Sequence, residues 1–272
     1  MQGRLSPLID GKTQAFPWKN WQDEFSLGSD IGIELMEWTL DQDRLYDNPL
    51  MTKSGRSRIV ELCQKNDITI NSLTGDCFMQ SPFWKATSSE RDKLHNDFIE
   101  VIQACSDLGI TIVILPLVDN GSLENKNQED QLVPFLLSHE DFFSHLKVKI
   151  IFESDLPPYE LANFMSKFES DVFGVNYDIG NSAALGFLPK QEFIAYGQYV
   201  LNVHVKDRLR KGVTVPLGEG NADFESVFTN LAKFNYQGNY ILQTARASNN
   251  DHAGKLNQYF EMCKDWVTDY GS

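Results

Sequence analysis

Short runs of apolar, largely β-branched residues recur along this chain at fairly even intervals, each followed by a stretch with helical spacing. That alternation calls for parallel strands joined by crossover helices. The strand candidates are residues 2–5, 31–36, 68–73, 111–115, 147–152, 172–177, 199–205 and 240–242. Between them, residues 57–65, 89–108, 159–168, 191–196, 224–234 and 256–266 read as amphipathic helices, with Asp223 placed to cap the fifth. About eight βα units in 272 residues predict an α/β fold, a single (β/α)8 TIM barrel spanning residues 1–272 as one domain, since such a barrel takes roughly 250 residues. A doubly wound open sheet is the alternative, but no Gly-rich phosphate turn follows the first strand. Residues 119–140 are polar, carry Pro134, and read as a long fourth βα loop with a broken helix.

Charge and cysteine usage narrow the function classes. With 38 acidic residues against 24 Lys plus Arg, the formal charge is −14, which repels a polyanion before any specific contact forms, so no nucleic-acid partner is expected. The four cysteines, at 63, 77, 105 and 263, form no CxxC pair, which fits a reducing cytoplasm. No apolar stretch approaches the length of a signal-peptide core or a membrane span, so no membrane partner is expected either.

In a barrel of this kind the site is built at the C-terminal ends of the strands, so the residue that follows each apolar run matters most. The run 147–152 ends at Glu153, 172–177 at Asp178, 200–203 at His204, and 240–242 at Gln243. A single acid in such a place is more often a loop cap, and a lone His more often a satisfied core residue. Four metal-capable groups on four consecutive strands argue otherwise. Together they form a mixed O/N set suited to one divalent ion, Mn²⁺, Mg²⁺, Co²⁺ or Zn²⁺, with positions left for substrate oxygens.

The residues also carry a resemblance. The opening Met1-Gln2-Gly3-Arg4-Leu5, Gly32-Ile33-Glu34-Leu35-Met36, Phe152-Glu153-Ser154, Tyr177-Asp178-Ile179-Gly180-Asn181, Val203-His204-Val205-Lys206-Asp207, and the segment from Pro216 to Phe224 occur in this order. Over nearly its whole length the chain thus resembles the xylose isomerase-like superfamily, in particular its sugar and sugar-phosphate isomerase/epimerase branch, similar to the D-tagatose 3-epimerases and L-xylulose-5-phosphate 3-epimerases. The resemblance implies that Glu153, Asp178 and His204 bind a divalent cation and that Glu153 moves a proton. It also implies a homodimer or homotetramer. The fourth position departs from the pattern: where the family ordinarily has a second Glu, this chain has Gln243, and no carboxylate lies between Tyr240 and Asn250. An amide oxygen coordinates a cation, but an amide is no general base near neutral pH.

Three repairs are open: Glu153 as the only base, a replacement such as Glu34 or Asp76, or a reaction that needs one proton shuttle. The leading expectation is a divalent-metal-dependent isomerase or epimerase of a small sugar or sugar phosphate, acting through an enediolate at Glu153 and Gln243. The alternatives are a keto-sugar (inosose-like) dehydratase and a non-catalytic sugar-binding barrel. An endonuclease IV-type reading fails, because that branch uses many His ligands and this chain has 5 His, one of them at a predicted strand end.

For the substrate, Lys206-Asp207-Arg208-Leu209-Arg210-Lys211 reverses the sign of an acidic chain and suits an anionic group, with Arg246 placed to join Lys206 and Arg208. Glu34, Asp76, Asn181 and Glu219 complete the substrate-facing candidates, with Glu37 and Asp119 behind them. Phe16, Trp18, Trp38, Phe83 and Trp84 supply either an apolar wall over a sugar ring or packing. His95, His139, His145 and His252 read as structural.

Overall fold

The computed structural model describes residues 1–9, 11 and 15–270. Seven parallel strands form one sheet, in chain order: β1 (Leu35–Thr39), β2 (Thr69–Thr74), β3 (Ile112–Leu117), β4 (Lys149–Ser154), β5 (Phe173–Asp178), β6 (Val200–Val205) and, after a two-stranded hairpin of β7 (Asp207–Arg208) and β8 (Thr214–Val215), β9 (Asn239–Leu242). The eighth stave is where the structure departs from the alternation in the sequence. Residues 2–5 form no regular strand. Instead the extreme N-terminus closes the gap between β1 and β9 by three main-chain bonds, Met1 N to Leu35 O at 2.6 Å, Glu37 N to Met1 O at 2.8 Å and Gln2 N to Leu242 O at 3.1 Å. Gly3 then turns at a positive φ of 46°, which takes the chain out of extended geometry before a ladder can grow.

The connecting helices are α1 (Asp23–Asp30), α2 (Lys53–Asn66), α3 (Asp76–Gln80), α4 (Ser88–Leu108), α5 (Lys126–Ser138), α6 (Glu140–Leu146), α7 (Pro158–Met165), α8 (Ile179–Leu185), α9 (Pro189–Tyr196), α10 (Phe224–Lys233) and α11 (His252–Tyr270). In residues 119–140 the helix is broken as expected, but at His139, between α5 and α6, and not at Pro134. α5 runs through Pro134 without interruption, because Leu132 and Leu136, two residues to either side, are fully buried and their burial offsets the lost N–H bond. Asp223 does cap α10, accepting from Ser226 N at 3.0 Å.

Every residue of β5 is buried, as expected of a strand covered on both sides. Packing of α7 on the sheet is largely aromatic: Phe152, Phe164, Phe168 and Phe173 meet with ring centroids 4.5–6.3 Å apart, a geometry that adds roughly 0.5–1.5 kcal/mol per pair to the burial itself. Phe16, Trp38, Phe83 and Trp84 are also buried in the core, so they pack the barrel rather than wall a ligand. Among the described residues, no helix is long and apolar enough to cross a membrane.

Candidate metal centre at the barrel rim

Parallel pairing fixes what can meet. β4 reaches Glu153 next to its end, β5 ends on Asp178, and β6 carries His204 in register with Asp178. Gln243 follows β9 and keeps the ladder going by its backbone, donating to Val205 O at 3.1 Å. All four therefore arrive at one end of the barrel. One ligand atom from each of Glu153, Asp178 and His204 can be chosen so that the three lie within 4.8 Å of one another. His204 Nδ1 is 3.1 Å from Glu153 Oε2 and 3.8 Å from Asp178 Oδ2.

The set is held from behind. Glu37, 2% exposed, accepts from Ser72 Oγ at 2.8 Å and Thr74 Oγ1 at 2.6 Å and faces His204 Nε2 at 2.8 Å. With Nε2–H donated to Glu37, Nδ1 faces the two carboxylates, which is how a carboxylate orients a metal-binding imidazole. Asn176 Nδ2 donates to Glu153 Oε2 at 2.8 Å, and Asn181 Nδ2 to Glu153 Oε1 at 2.7 Å. Both oxygens of Glu153 are thus fixed. Asp178 does double duty at the strand-to-helix junction, capping α8 through Asn181 N at 2.8 Å while its other oxygen meets Lys206 Nζ at 3.1 Å.

Lys206 is the cation of this cluster. Its ammonium also donates to Gln243 Oε1 at 2.7 Å and Asn181 Oδ1 at 3.3 Å. Burial pushes the Asp178 carboxyl up, but Lys206, then His204 and the Asn181 N–H, outweigh it and hold the group well below the usual carboxylate range. For Glu37, burial is likewise outweighed, by His204 and the two hydroxyls, so it too lies low. Burial pulls His204 down, yet Glu37, Asp178 and Glu153 raise it well above its ordinary value. The cluster is thus built to hold positive charge at its centre.

Above it opens a cavity of ≈ 580 Å³ lined by Asp76, Glu153, Asn181, Lys206, Arg208 and Gln243 among others. Arg208 enters it, donating to Asn181 Oδ1 at 2.7 Å, while Arg210 and Lys211 stay exposed. Two substrate candidates lie elsewhere. Glu34 precedes the first residue of β1 and is exposed at the opposite end of the barrel, because the strand starts four residues later than the apolar run. Glu219 is exposed beyond the β7–β8 hairpin and does not line the cavity. Arg246 faces a second, adjoining cavity and ties down the N-terminal segment, donating to Ser6 O at 2.7 Å and Gly3 O at 2.9 Å.

The residue that sequence reasoning undervalued is Glu37. A carboxylate between Met36 and Trp38 in an apolar run must be paired if the strand is buried, and that signal was there to favour Glu37 over Glu34. Asp207 was also missed: it gathers the N–H groups of Gly218, Gly220 and Ala222 at 2.9–3.0 Å and shapes the hairpin beside the site. A Cβ on Gly220 would come within 2.1 Å of Asp207 Oδ1, so only glycine fits there.

A family model described as xylose isomerase-like TIM barrel matches residues 25–265. L-ribulose-5-phosphate 3-epimerase UlaE of Escherichia coli O1:K1 is 26% identical over 263 residues, covering 91% of this chain and 88% of that protein. Among solved structures, D-psicose 3-epimerase with D-tagatose from Clostridium cellulolyticum H10 superposes with a TM-score of 0.72 at 12% identity, covering 93% of this chain and 94% of that one. The IOLI protein with a bound zinc atom gives 0.73 at 15% identity, covering 92% and 93%.

Proposed function

The chain belongs to the xylose isomerase-like TIM-barrel family, and on that premise we propose that it is a divalent-metal-dependent isomerase or epimerase of a small sugar or sugar phosphate. One observation carries the reading: two carboxylates and an imidazole from three neighbouring strand ends offer ligand atoms within 4.8 Å of one another, with Glu37 orienting the imidazole from behind. These residues fit a cation, and the carbonyl oxygen of Gln243, already 2.7 Å from the Lys206 ammonium, is a fourth donor. Mn²⁺, Mg²⁺, Co²⁺ or Zn²⁺ suits such a set; the ion would supply Lewis-acid polarisation of a substrate carbonyl and offset the charge of an enediolate.

Proton movement falls to Glu153. Both of its oxygens are aimed by Asn176 and Asn181, and it lines the cavity that admits substrate. Asn181, Lys206 and Arg208 are placed to hold substrate hydroxyls and anionic groups, and Asp76 stands at the start of α3 on the far wall. At the position of the family's second Glu stands a neutral amide bonded to Lys206. A proton delivered and recovered by one base serves aldose–ketose isomerisation or a dehydration, so Gln243 favours one-base chemistry over two-base epimerisation. A cytoplasmic setting accords with the four free thiols.

Metal analysis of the purified protein, as isolated and after loading with Mn²⁺, tests the reading beside Glu153→Gln. About one ion per chain, lost in large part in the variant, is expected. No bound metal under any loading condition would overturn it.

A further inference from the structure

Next to the cavity over Glu153 lies a second one of ≈ 620 Å³, and the two are contiguous, because Lys206 and Thr214 line both. Its chemistry is of opposite sign. Arg4, Lys206 and Arg246 line it, with His252, and no Asp or Glu is among its described lining residues, on a chain whose formal charge is −14. Two polar atoms there are buried with no hydrogen-bond partner among the described residues: Thr244 Oγ1, on a residue 3% exposed, and His252 Nδ1. A buried hydroxyl left unpaired costs roughly 1–3 kcal/mol, so a lining residue in that state marks where a polar ligand belongs. α11 starts here too, but its first turn is already capped by Asp251, which accepts from Gly254 N at 3.0 Å. Side chains, not the helix end, must therefore do the binding.

We propose that this second cavity is an oxyanion subsite that seats the phosphate of a phosphorylated ketose, with Thr244 and His252 hydrogen-bonding it and Arg4 and Arg246 supplying charge. The proposal rests on the function argued above and assigns its substrate to the phosphorylated class, with the sugar chain over Glu153 and the phosphate under the segment joining β9 to α11. Lys206 stands at the junction and touches both. It moves the phosphate grip away from the exposed Arg210 and Lys211. Burial, then Arg246, pull the Arg4 guanidinium down to about 10 against Asp76, Glu24 and Asp178, which raise it; a dianion would relieve the part that is repulsion between the two guanidinium groups. Loops after the last two strands of a barrel are also a recurrent place for phosphate.

Thr244→Val removes the hydroxyl and keeps the shape, and His252→Gln is the second variant should the first fail to fold. Two readouts are taken on each, with thermal midpoint and metal content as controls. The first is the ratio of kcat/KM for a ketose 5-phosphate over the same ketose without phosphate. It is expected to be about a hundredfold in the wild type and to fall about tenfold in each variant through KM, with kcat for the free ketose unchanged. The second is calorimetric titration of the metal-free protein with inorganic phosphate, expected to saturate and to weaken about tenfold in each variant. Equal turnover of free and phosphorylated ketose by the wild type, or phosphate binding indifferent to both substitutions, overturns the subsite. Phosphate binding that responds to the variants without turnover of any ketose leaves the subsite standing and sinks the isomerase reading instead.

Discussion

Glu153 and Gln243 line the same cavity, and their surroundings differ in kind. Glu153 is a carboxylate whose two oxygens are each held by a side-chain amide, from Asn176 and Asn181. Gln243 is neutral, and its oxygen is taken by an ammonium, Lys206. One side of the site is organised around a carboxylate; the other is organised around a cation. On the function proposed above, the difference means a ligand geometry kept while proton transfer is given up on one face, since coordination needs only a lone pair whereas a base needs a protonatable group in reach of working pH.

The largest expected effect comes from removing the base. Glu153→Gln should lower kcat/KM for any turned-over ketose by about 10²- to 10⁴-fold, measured under metal saturation so that binding and chemistry separate. Activity within threefold of wild type would break the comparison at its root. Next in size is Glu37→Gln, which leaves all four rim groups in place and removes the carboxylate behind His204. Loss of such support should weaken metal affinity about 10- to 100-fold, read by competition with a chelator, with no change if the Glu37–His204 bond serves only to pack the core.

A third experiment asks whether the cation side can be turned back. Gln243→Glu places a carboxylate against Lys206, whose ammonium also meets Asp178. It should tighten divalent-metal binding about tenfold, by adding charge to the ligand set, and allow solvent deuterium into the substrate from a second face. In the wild type, mass and NMR analysis of recovered substrate should find deuterium delivered on one face alone. Scrambling at both faces in the wild type would mean that another group, with Asp76 a candidate on the cavity wall, replaces the missing Glu.

How much of this was written in the sequence depends on the kind of information involved. Glu153, Asp178, His204 and Gln243 could be located because each ends an apolar run, and in a parallel barrel every strand ends on the same side. The fold was legible for the same reason, and its family is shown by the match over residues 25–265. What escaped is set by register and long-range pairing. Glu34 and Glu37 stand three residues apart, the first just before β1 and the second within it, and the pairing of Glu37 with Ser72 brings the second against His204. The closure by Met1 and Gln2 was anticipated as a strand over residues 2–5, but a positive φ at Gly3 stopped it after three main-chain bonds. Pro134 misled because propensity is local, whereas the burial of Leu132 and Leu136 is not. No pattern along the chain brings Thr244 beside Arg4; that neighbourhood exists only once the barrel has closed.

The smallest expected effect concerns what stands behind the Glu153 side. Asn181, which aims that carboxylate, rides on α8, and α8 is braced by a buried acid: Glu192 accepts from Ser182 Oγ at 2.5 Å, Tyr196 Oη at 2.8 Å and Tyr177 Oη at 2.9 Å. Burial raises the Glu192 carboxyl above its ordinary value of 4.5 despite those three donors. A raised folded-state value means that the native state prefers the protonated form, so the group's contribution to stability is fully present below 4.5 and is lost as pH rises through the raised value. Glu192→Gln cannot ionise and lacks that loss. The thermal midpoint of the variant relative to wild type should therefore move in the variant's favour between pH 4.5 and pH 7.5, by roughly 3 °C. A difference independent of pH would show that Glu192 stays in one protonation state throughout, and that the brace beneath Asn181 is indifferent to charge.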